Sequence, residues 1–101
     1  AAGEYIPQDG PDTICDGLLT SMGELTWPIL RDHLEGIITV SDEEVVEAMR
    51  LLLKHFGMMV EPSGAASLAA VLSSEFRGLE GIGRVGLILS GGNVDPGSVA
   101  F

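Results

Sequence analysis

The chain has 101 residues, of which 46% are hydrophobic and 20% are charged. This is the composition of one small globular domain and excludes a disordered segment. The formal net charge is −10 with only five basic residues, which disfavours nucleic acid and anionic membranes as partners. No apolar run approaches the ~20 residues of a membrane span. The single cysteine, Cys15, excludes an internal disulfide and favours a cytoplasmic setting.

The first part of the chain gives weak signals. Residues 1–12 contain several glycines and prolines without periodicity and are predicted to be an irregular segment before a domain at 13–101. Residues 13–25 are ambiguous. The stretch TWPILRDHLEG, residues 26–36, predicts a short helix capped by Thr26 or Trp27, with Pro28 in its first turn and Gly36 at its end.

The middle of the chain predicts a strand followed by a helix. GIITV, residues 36–40, is short and β-branched, as strands are. Ser41 and Glu44 then form the capping-box pattern. Apolar residues at helical spacing follow, which predicts a helix at 42–55 that Gly57 closes.

The last part of the chain repeats this order. MMVE, residues 58–61, predicts a strand, and residues 65–76 predict a helix that is buried because it is apolar almost all round. VGLIL, residues 85–89, is a continuous apolar run typical of a central strand. The order βαβαβ predicts an α/β fold with a mostly parallel sheet and right-handed crossovers.

A parallel sheet would bring three polar segments to one edge. Ser41, Glu61–Ser63 and Ser90–Asn93 each follow a predicted strand, and open α/β folds bind ligands at that edge. Ser90 would offer a hydroxyl there, and two glycines after it would allow a close approach. The alternative is a tight turn in which Ser90 bonds its own backbone. Glu61 could face the same ligand or could simply favour the start of the next helix.

Other polar residues are weaker candidates. Asp16 and Gly17, with Thr20, could form a ligand-contacting loop or an Asx-turn. His33 and His55 lie near predicted helix ends, where histidines are commonly structural, and Cys15 is interpreted as a buried, inert thiol. The sequence contains no zinc-binding cluster and no phosphate-binding glycine loop ahead of a helix. The residues alone therefore predict an α/β domain with a ligand-binding edge.

Four segments together resemble a known family. TICDGL at 13–18, TWPILRDHLEGIITVSDEEV at 26–45, MVEPSGAASLAAVL at 59–72 and ILSGGNVD at 88–95 resemble the C-terminal part of the large domain of the serine/threonine dehydratases and serine racemases. These are pyridoxal-phosphate enzymes of the tryptophan-synthase-β-like fold, called fold type II. The resemblance implies a partial three-layer αβα large domain, a pyridoxal 5'-phosphate cofactor and a small amino-acid substrate.

The resemblance also implies roles for five residues. Ser90 would hydrogen-bond the pyridine nitrogen of the cofactor, and Gly91 would leave room beside the ring. Glu61 falls at the family's Glu-Pro turn close to the cofactor. Gly17 falls in a loop near the ring, and Thr20 would carry a hydroxyl toward the substrate side. No catalytic residue and no metal ligand is implied within this chain.

The family's Schiff-base lysine, phosphate loop, substrate-carboxylate loop and cation site all precede the matching region. The chain is therefore expected to be a fragment that is inactive alone, pairing with further copies of itself or with a complementary N-terminal fragment. Lys54 is expected on the solvent face of its helix. The rival interpretation is a non-catalytic α/β module that self-associates or binds a small metabolite at the sheet edge. The sequence does not decide whether the parent enzyme is a dehydratase or a racemase, or whether its substrate is serine or threonine.

Overall fold

A computed structural model describes residues 12–15 and 23–92. These residues contain four helices: α1 at Trp27–His33, α2 at Asp42–Phe56, α3 at Pro62–Leu72 and α4 at Ser74–Arg77. The predictions for residues 1–11, Gly17, Thr20 and the segment from Asn93 onward lie outside the described residues.

Helix α2 confirms the prediction made from the Ser41 capping pattern. The Ser41 hydroxyl accepts from the Glu44 N–H at 3.2 Å, and the Glu44 carboxylate accepts from the Ser41 N–H at 3.0 Å. At the other end Gly57 adopts the left-handed conformation, with φ of 65°, which glycine enters without steric cost. The buried face of the helix consists of Val45, Ala48, Met49 and Leu52.

Helix α1 forms where it was predicted but is shorter. Thr26 is its N-cap residue, yet the Thr26 hydroxyl donates backwards to the Gly23 carbonyl at 3.0 Å and makes no cap bond. Leu34 is already extended, with ψ of 135°. The helix therefore ends before Gly36.

The predicted helix at 65–76 is wrong in its bounds. α3 begins earlier, because Pro62 supplies a first helical residue that needs no N–H partner. It ends at Leu72, because Ser73 is extended and its hydroxyl caps the next helix by accepting from the Phe76 N–H at 3.2 Å. The helix is also less buried than predicted, since most of its apolar side chains are only half-buried.

The three predicted strands lie outside the helices, and none is assigned as a strand in the described part of the chain. A strand is defined by ladder hydrogen bonds to a neighbour. Here the segments after the second and third predicted strands are joined by one backbone bond, from the Glu61 N–H to the Gly91 carbonyl at 3.3 Å. The parallel sheet thus stays a prediction.

The core lies between α2 and α3. Its buried members are Cys15, Val45, Ala48, Met49, Leu52, Val60, Ala65 and Ala69. Leu89 packs against this cluster, whereas the apolar residues before it are exposed, as Val85, Leu87 and Ile88 show with 47%, 37% and 82% of their surface accessible. Among the described residues, no helix is long and apolar enough to cross a membrane.

Candidate cofactor-ring site

The candidate site is the turn Ser90–Gly92, called the Ser90 turn below, and it lies against the start of α3. Residues 59–61 pack beside this turn. The Glu61 N–H donates to the Gly91 carbonyl at 3.3 Å. Glu61 ends one predicted strand and Ser90 follows another, so the expected meeting of Glu61 with the Ser90 turn is observed.

The Glu61 carboxylate points at the turn and does not cap its helix. Glu61 is the N-cap residue of α3 but makes no side-chain cap bond. Its carboxylate oxygen lies so close to the Gly91 backbone that a Cβ on Gly91 would overlap it. The purely local interpretation of Glu61, as a carboxylate serving the helix start, therefore does not account for where the side chain lies.

Three glycines permit the close packing around the turn. Gly91 has φ of 78°, a conformation that side chains other than glycine rarely adopt. A Cβ on Gly92 would lie 2.7 Å from the Met59 carbonyl oxygen, and a Cβ on Gly64 would overlap the carbonyl of Ser90. The Ser90 turn is thus held between residues 59–61 on one side and the first turn of α3 on the other.

A second contact holds the chain just before the turn. The Ser67 hydroxyl of α3 donates to the Ile88 carbonyl at 3.0 Å, across 21 residues of sequence. Together with the Gly64 contact it fixes residues 88–90 along the first two turns of α3.

The Ser90 side chain suits a contact with a ligand. Ser90 is exposed at the start of the turn. A hydroxyl both donates and accepts, so it can pair with a ring nitrogen that presents a lone pair. Gly91 and Gly92 are also exposed, so their backbone is accessible to a flat ring. The residues present therefore fit a pyridine ring at this edge.

Asp42 ties a further segment of the chain to the start of α2. Its carboxylate accepts from the Thr13 hydroxyl at 2.5 Å and from the Ile14 N–H at 3.3 Å. The next residue, Cys15, is buried in the core. Asp42 starts α2 directly after the first predicted strand, so residues 13–15 are held at the end of that strand.

The remaining candidates lie apart from the Ser90 turn in the sequence and carry no sign of a site. His33 ends α1 and His55 lies in the last turn of α2, and both are exposed, as is Lys54. In residues 12–15 and 23–92, no group of three or more His, Cys, Asp or Glu side chains could hold a metal ion. A pocket of about 370 Å³ is lined by residues 35–38, 75, 76, 79 and 82, none of which was a candidate.

Three contact residues were missed by the sequence analysis. Gly64 was predicted only as part of the turn before an apolar helix, Ser67 only as part of that helix, and Asp42 only as a residue favoured at a helix start. Their long-range partners, Ser90, Ile88 and Thr13, have no local sequence signal. The glycine in the Pro-Ser-Gly run was the one available hint, because glycine is unfavourable in a helix interior.

The chain matches known proteins along most of its length. Residues 1–91 match the model of the family described as "Pyridoxal-phosphate dependent enzyme". Serine racemase of Dictyostelium discoideum is 46% identical over 90 residues, covering 89% of this chain and 28% of that protein. Beta-hydroxyaspartate dehydratase of Paracoccus denitrificans is 45% identical over 96 residues, covering 93% of this chain and 29% of that protein.

A solved structure gives the same result. The structure of maize serine racemase superposes with a TM-score of 0.91 at 43% identity, covering 96% of this chain and 30% of that chain. The chain thus spans less than a third of the length of these relatives. The family match covers Ser90, Gly91 and the helix α3 that packs against them. The chain belongs to the pyridoxal-phosphate-dependent enzymes, within the group that contains serine racemases and hydroxy-amino-acid dehydratases.

Proposed function

We propose that this chain supplies the cofactor-ring contacts of a pyridoxal-phosphate enzyme that eliminates the hydroxyl group from a small hydroxy amino acid or racemises it. The single observation that carries the proposal is the exposed Ser90 hydroxyl at the tip of a tightly packed glycine turn. The three-layer αβα domain with a parallel βαβαβ sheet is part of the same proposal. It is supported by the bond between Glu61 and Gly91 at the ends of two predicted strands.

The role of Ser90 follows from its charge. When bound, the cofactor withdraws electrons from the substrate's α-carbon, and protonation of its ring nitrogen strengthens that effect. Ser90 offers a neutral hydrogen bond, which leaves the nitrogen largely unprotonated, whereas an aspartate would hold a proton there. A weaker electron sink suits an elimination, in which the leaving group departs soon after the α-proton.

The other residues of the proposal shape the space around the ring. Gly91 was expected to leave room beside the ring, but the place of its missing side chain is taken by the Glu61 carboxylate, which lies next to the turn. Gly17 and Thr20 would approach the ring and the substrate. These two roles are proposed from the resemblance to the family.

A chimaera tests this role. The segment of maize serine racemase that matches this chain would be replaced by residues 1–101. We expect the chimaera to bind pyridoxal phosphate and to act on serine, and Ser90→Asp to lower its turnover at least tenfold. Ser74→Asp, at an exposed serine of α4, is the control. Equal turnover of the Ser90→Asp and Ser74→Asp chimaeras would contradict the role of Ser90.

The isolated chain is proposed to be inactive. Covalent attachment of the cofactor needs an amine of low pKa at the ring, and Lys54 is the only lysine of the sequence. Lys54 is exposed and lies in the last turn of α2, about 18 Å along the helix axis from Asp42 at its start. Borohydride reduction with stoichiometric pyridoxal phosphate should therefore label no single site. Saturable labelling of Lys54 together with release of a 2-oxo acid would show that the chain is an enzyme on its own.

Association is the second part of the proposal. Among residues 12–15 and 23–92, thirteen large hydrophobic side chains are exposed, and four of them lie in one segment, at Ile82, Val85, Leu87 and Ile88. An apolar edge of this kind pairs with another chain. We propose that the segment is covered by a second copy or by a complementary N-terminal fragment, in a cytoplasmic setting. A compact monomer in sedimentation at tens of micromolar would contradict self-association.

A further inference from the structure

We propose that Ser67 is a positioning residue for Ser90. By holding the Ile88 carbonyl, the Ser67 hydroxyl sets where the Ser90 turn stands relative to α3. This inference rests on the proposed contact between Ser90 and the cofactor ring. Ser67 itself touches neither cofactor nor substrate in it.

The contacts define the direction of the chain. Gly64 and Ser67 are three residues apart on one face of α3, about 4.5 Å along its axis. Ile88 and Ser90 are two residues apart, about 6.6 Å when extended. Ser67 contacts Ile88 and Gly64 contacts Ser90, so residues 88–90 run antiparallel to α3. Alternate carbonyls of an extended segment point the same way, which is why both carbonyls meet the helix.

The hydrogen bond of the Ser67 hydroxyl is unusual for a serine inside a helix. A serine inside a helix usually bonds a carbonyl four residues earlier or faces solvent, and alanine is the better helix former. Ser67 lies between Ala66 and Leu68 in an apolar stretch, yet its hydroxyl bonds a carbonyl 21 residues away. The hydroxyl therefore stabilises the attachment of residues 88–90 to α3 and does not stabilise the helix itself.

That segment has few other attachments in the described part of the chain. The Ile88 side chain is 82% exposed and gives no packing. Leu89 packs against the core, and the Gly91 carbonyl accepts from the Glu61 N–H. Removing the Ser67 bond leaves these two attachments and the packing of Ser90 on Gly64 and of Gly92 on Met59. The turn should therefore open more often and carry Ser90 away from a fixed position.

The experiment compares three variants of the 101-residue chain by amide hydrogen exchange. The reporter is the Glu61 N–H, which is protected by Gly91. Ser67→Ala should speed its exchange about fivefold, the effect of losing one neutral hydrogen bond. Ser67→Thr, which keeps the hydroxyl, should restore the original rate. Ser73→Ala is the control, because the Ser73 hydroxyl donates to the Ala70 carbonyl at 2.5 Å and accepts from the Phe76 N–H at 3.2 Å, so both of its bonds are local.

A second readout separates positioning from stability alone. In the chimaera, Ser67→Ala should shift the absorption maximum of the bound cofactor in the same direction as Ser90→Ala, while Ser73→Ala should not. The exchange measurement uses no cofactor, so it stands or fails independently of the contact between Ser90 and the ring. Unchanged Glu61 exchange in Ser67→Ala overturns the inference. Faster exchange with an unshifted absorption maximum also overturns it, since the bond would then be structural only.

Discussion

Helix α2 and the segment 79–92 differ in where their stability comes from. The helix has a capping box at one end, a left-handed glycine at the other and a fully buried stripe between them. The segment is similarly apolar but exposed from Leu79 to Ile88. It is attached mainly at its end, through Leu89 and the Ser90 turn. The candidate site therefore lies on the part of the chain that depends most on distant contacts.

The largest expected effect is in the core of α2. Met49 has none of its surface exposed, so Met49→Ala leaves a cavity and should lower the free energy of unfolding by about 2–5 kcal/mol. Leu53→Ala is the control on the same helix, because Leu53 is 39% exposed and should cost much less. Urea unfolding of both variants measures this. Equal losses of unfolding free energy would show that the buried face of α2 contributes no more to stability than its exposed face.

The next effect concerns the exposed segment. Ile88→Lys places a charge on its most exposed apolar side chain and should weaken self-association at least tenfold, about 1.4 kcal/mol. Leu25→Lys is the matched control, since Leu25 is 90% exposed in the turn before α1. Sedimentation equilibrium of the two variants gives the comparison. Equal association of the two variants would show that residues 82–88 do not form the interface.

A smaller effect is expected at the helix cap. Ser41→Ala removes the hydroxyl that accepts from the Glu44 N–H and should cost about 1 kcal/mol. Ser73→Ala removes the corresponding bond of the four-residue α4 and should cost less, because little structure depends on it. Thermal unfolding followed by circular dichroism distinguishes the two. A larger loss from Ser73→Ala would contradict this ranking of the two helix caps.

The smallest effect is electrostatic. The Arg50 guanidinium, which donates to the Glu47 carboxylate at 2.8 Å, lowers the pKa of Glu47 through this hydrogen bond. A lowered folded-state pKa contributes stability above the unfolded-state pKa, and this contribution is lost as the pH falls through the folded-state pKa. Both groups are exposed, so the gain should be small and screened by salt. A Glu47→Gln and Arg50→Gln double-mutant cycle should show coupling at pH 7 and none at pH 2. Equal coupling at both values would contradict the ion pair.

The two regions also mark what the sequence could predict. The ends of α2 were predictable because the capping box at Ser41 and the glycine at Gly57 act within a few residues. The meeting of Glu61 with the Ser90 turn was predictable from the order of the elements. Ser73 could not be foreseen as a break, because its hydroxyl competes with a helix that would otherwise continue.

The missed part of the site has the same physical origin. The bond from Ser67 to Ile88 and the contact of Gly64 with Ser90 depend on how two distant segments pack. The strands could not be confirmed, because a ladder requires neighbours and the segments at 36–40 and 85–89 are largely exposed. Resemblance supplied the roles of Gly17 and Thr20, which lie outside the described residues.

The most direct measurement of the central claim is the ¹⁵N chemical shift of the cofactor's ring nitrogen in the chimaera. Ser90 is exposed and neutral at the tip of its turn, so the nitrogen should give the shift of an unprotonated pyridine. Ser90→Asp should move it to the protonated range, and Ser74→Asp should leave it unchanged. A protonated nitrogen in the unaltered chimaera, or one that does not respond to Ser90→Asp, would contradict the account.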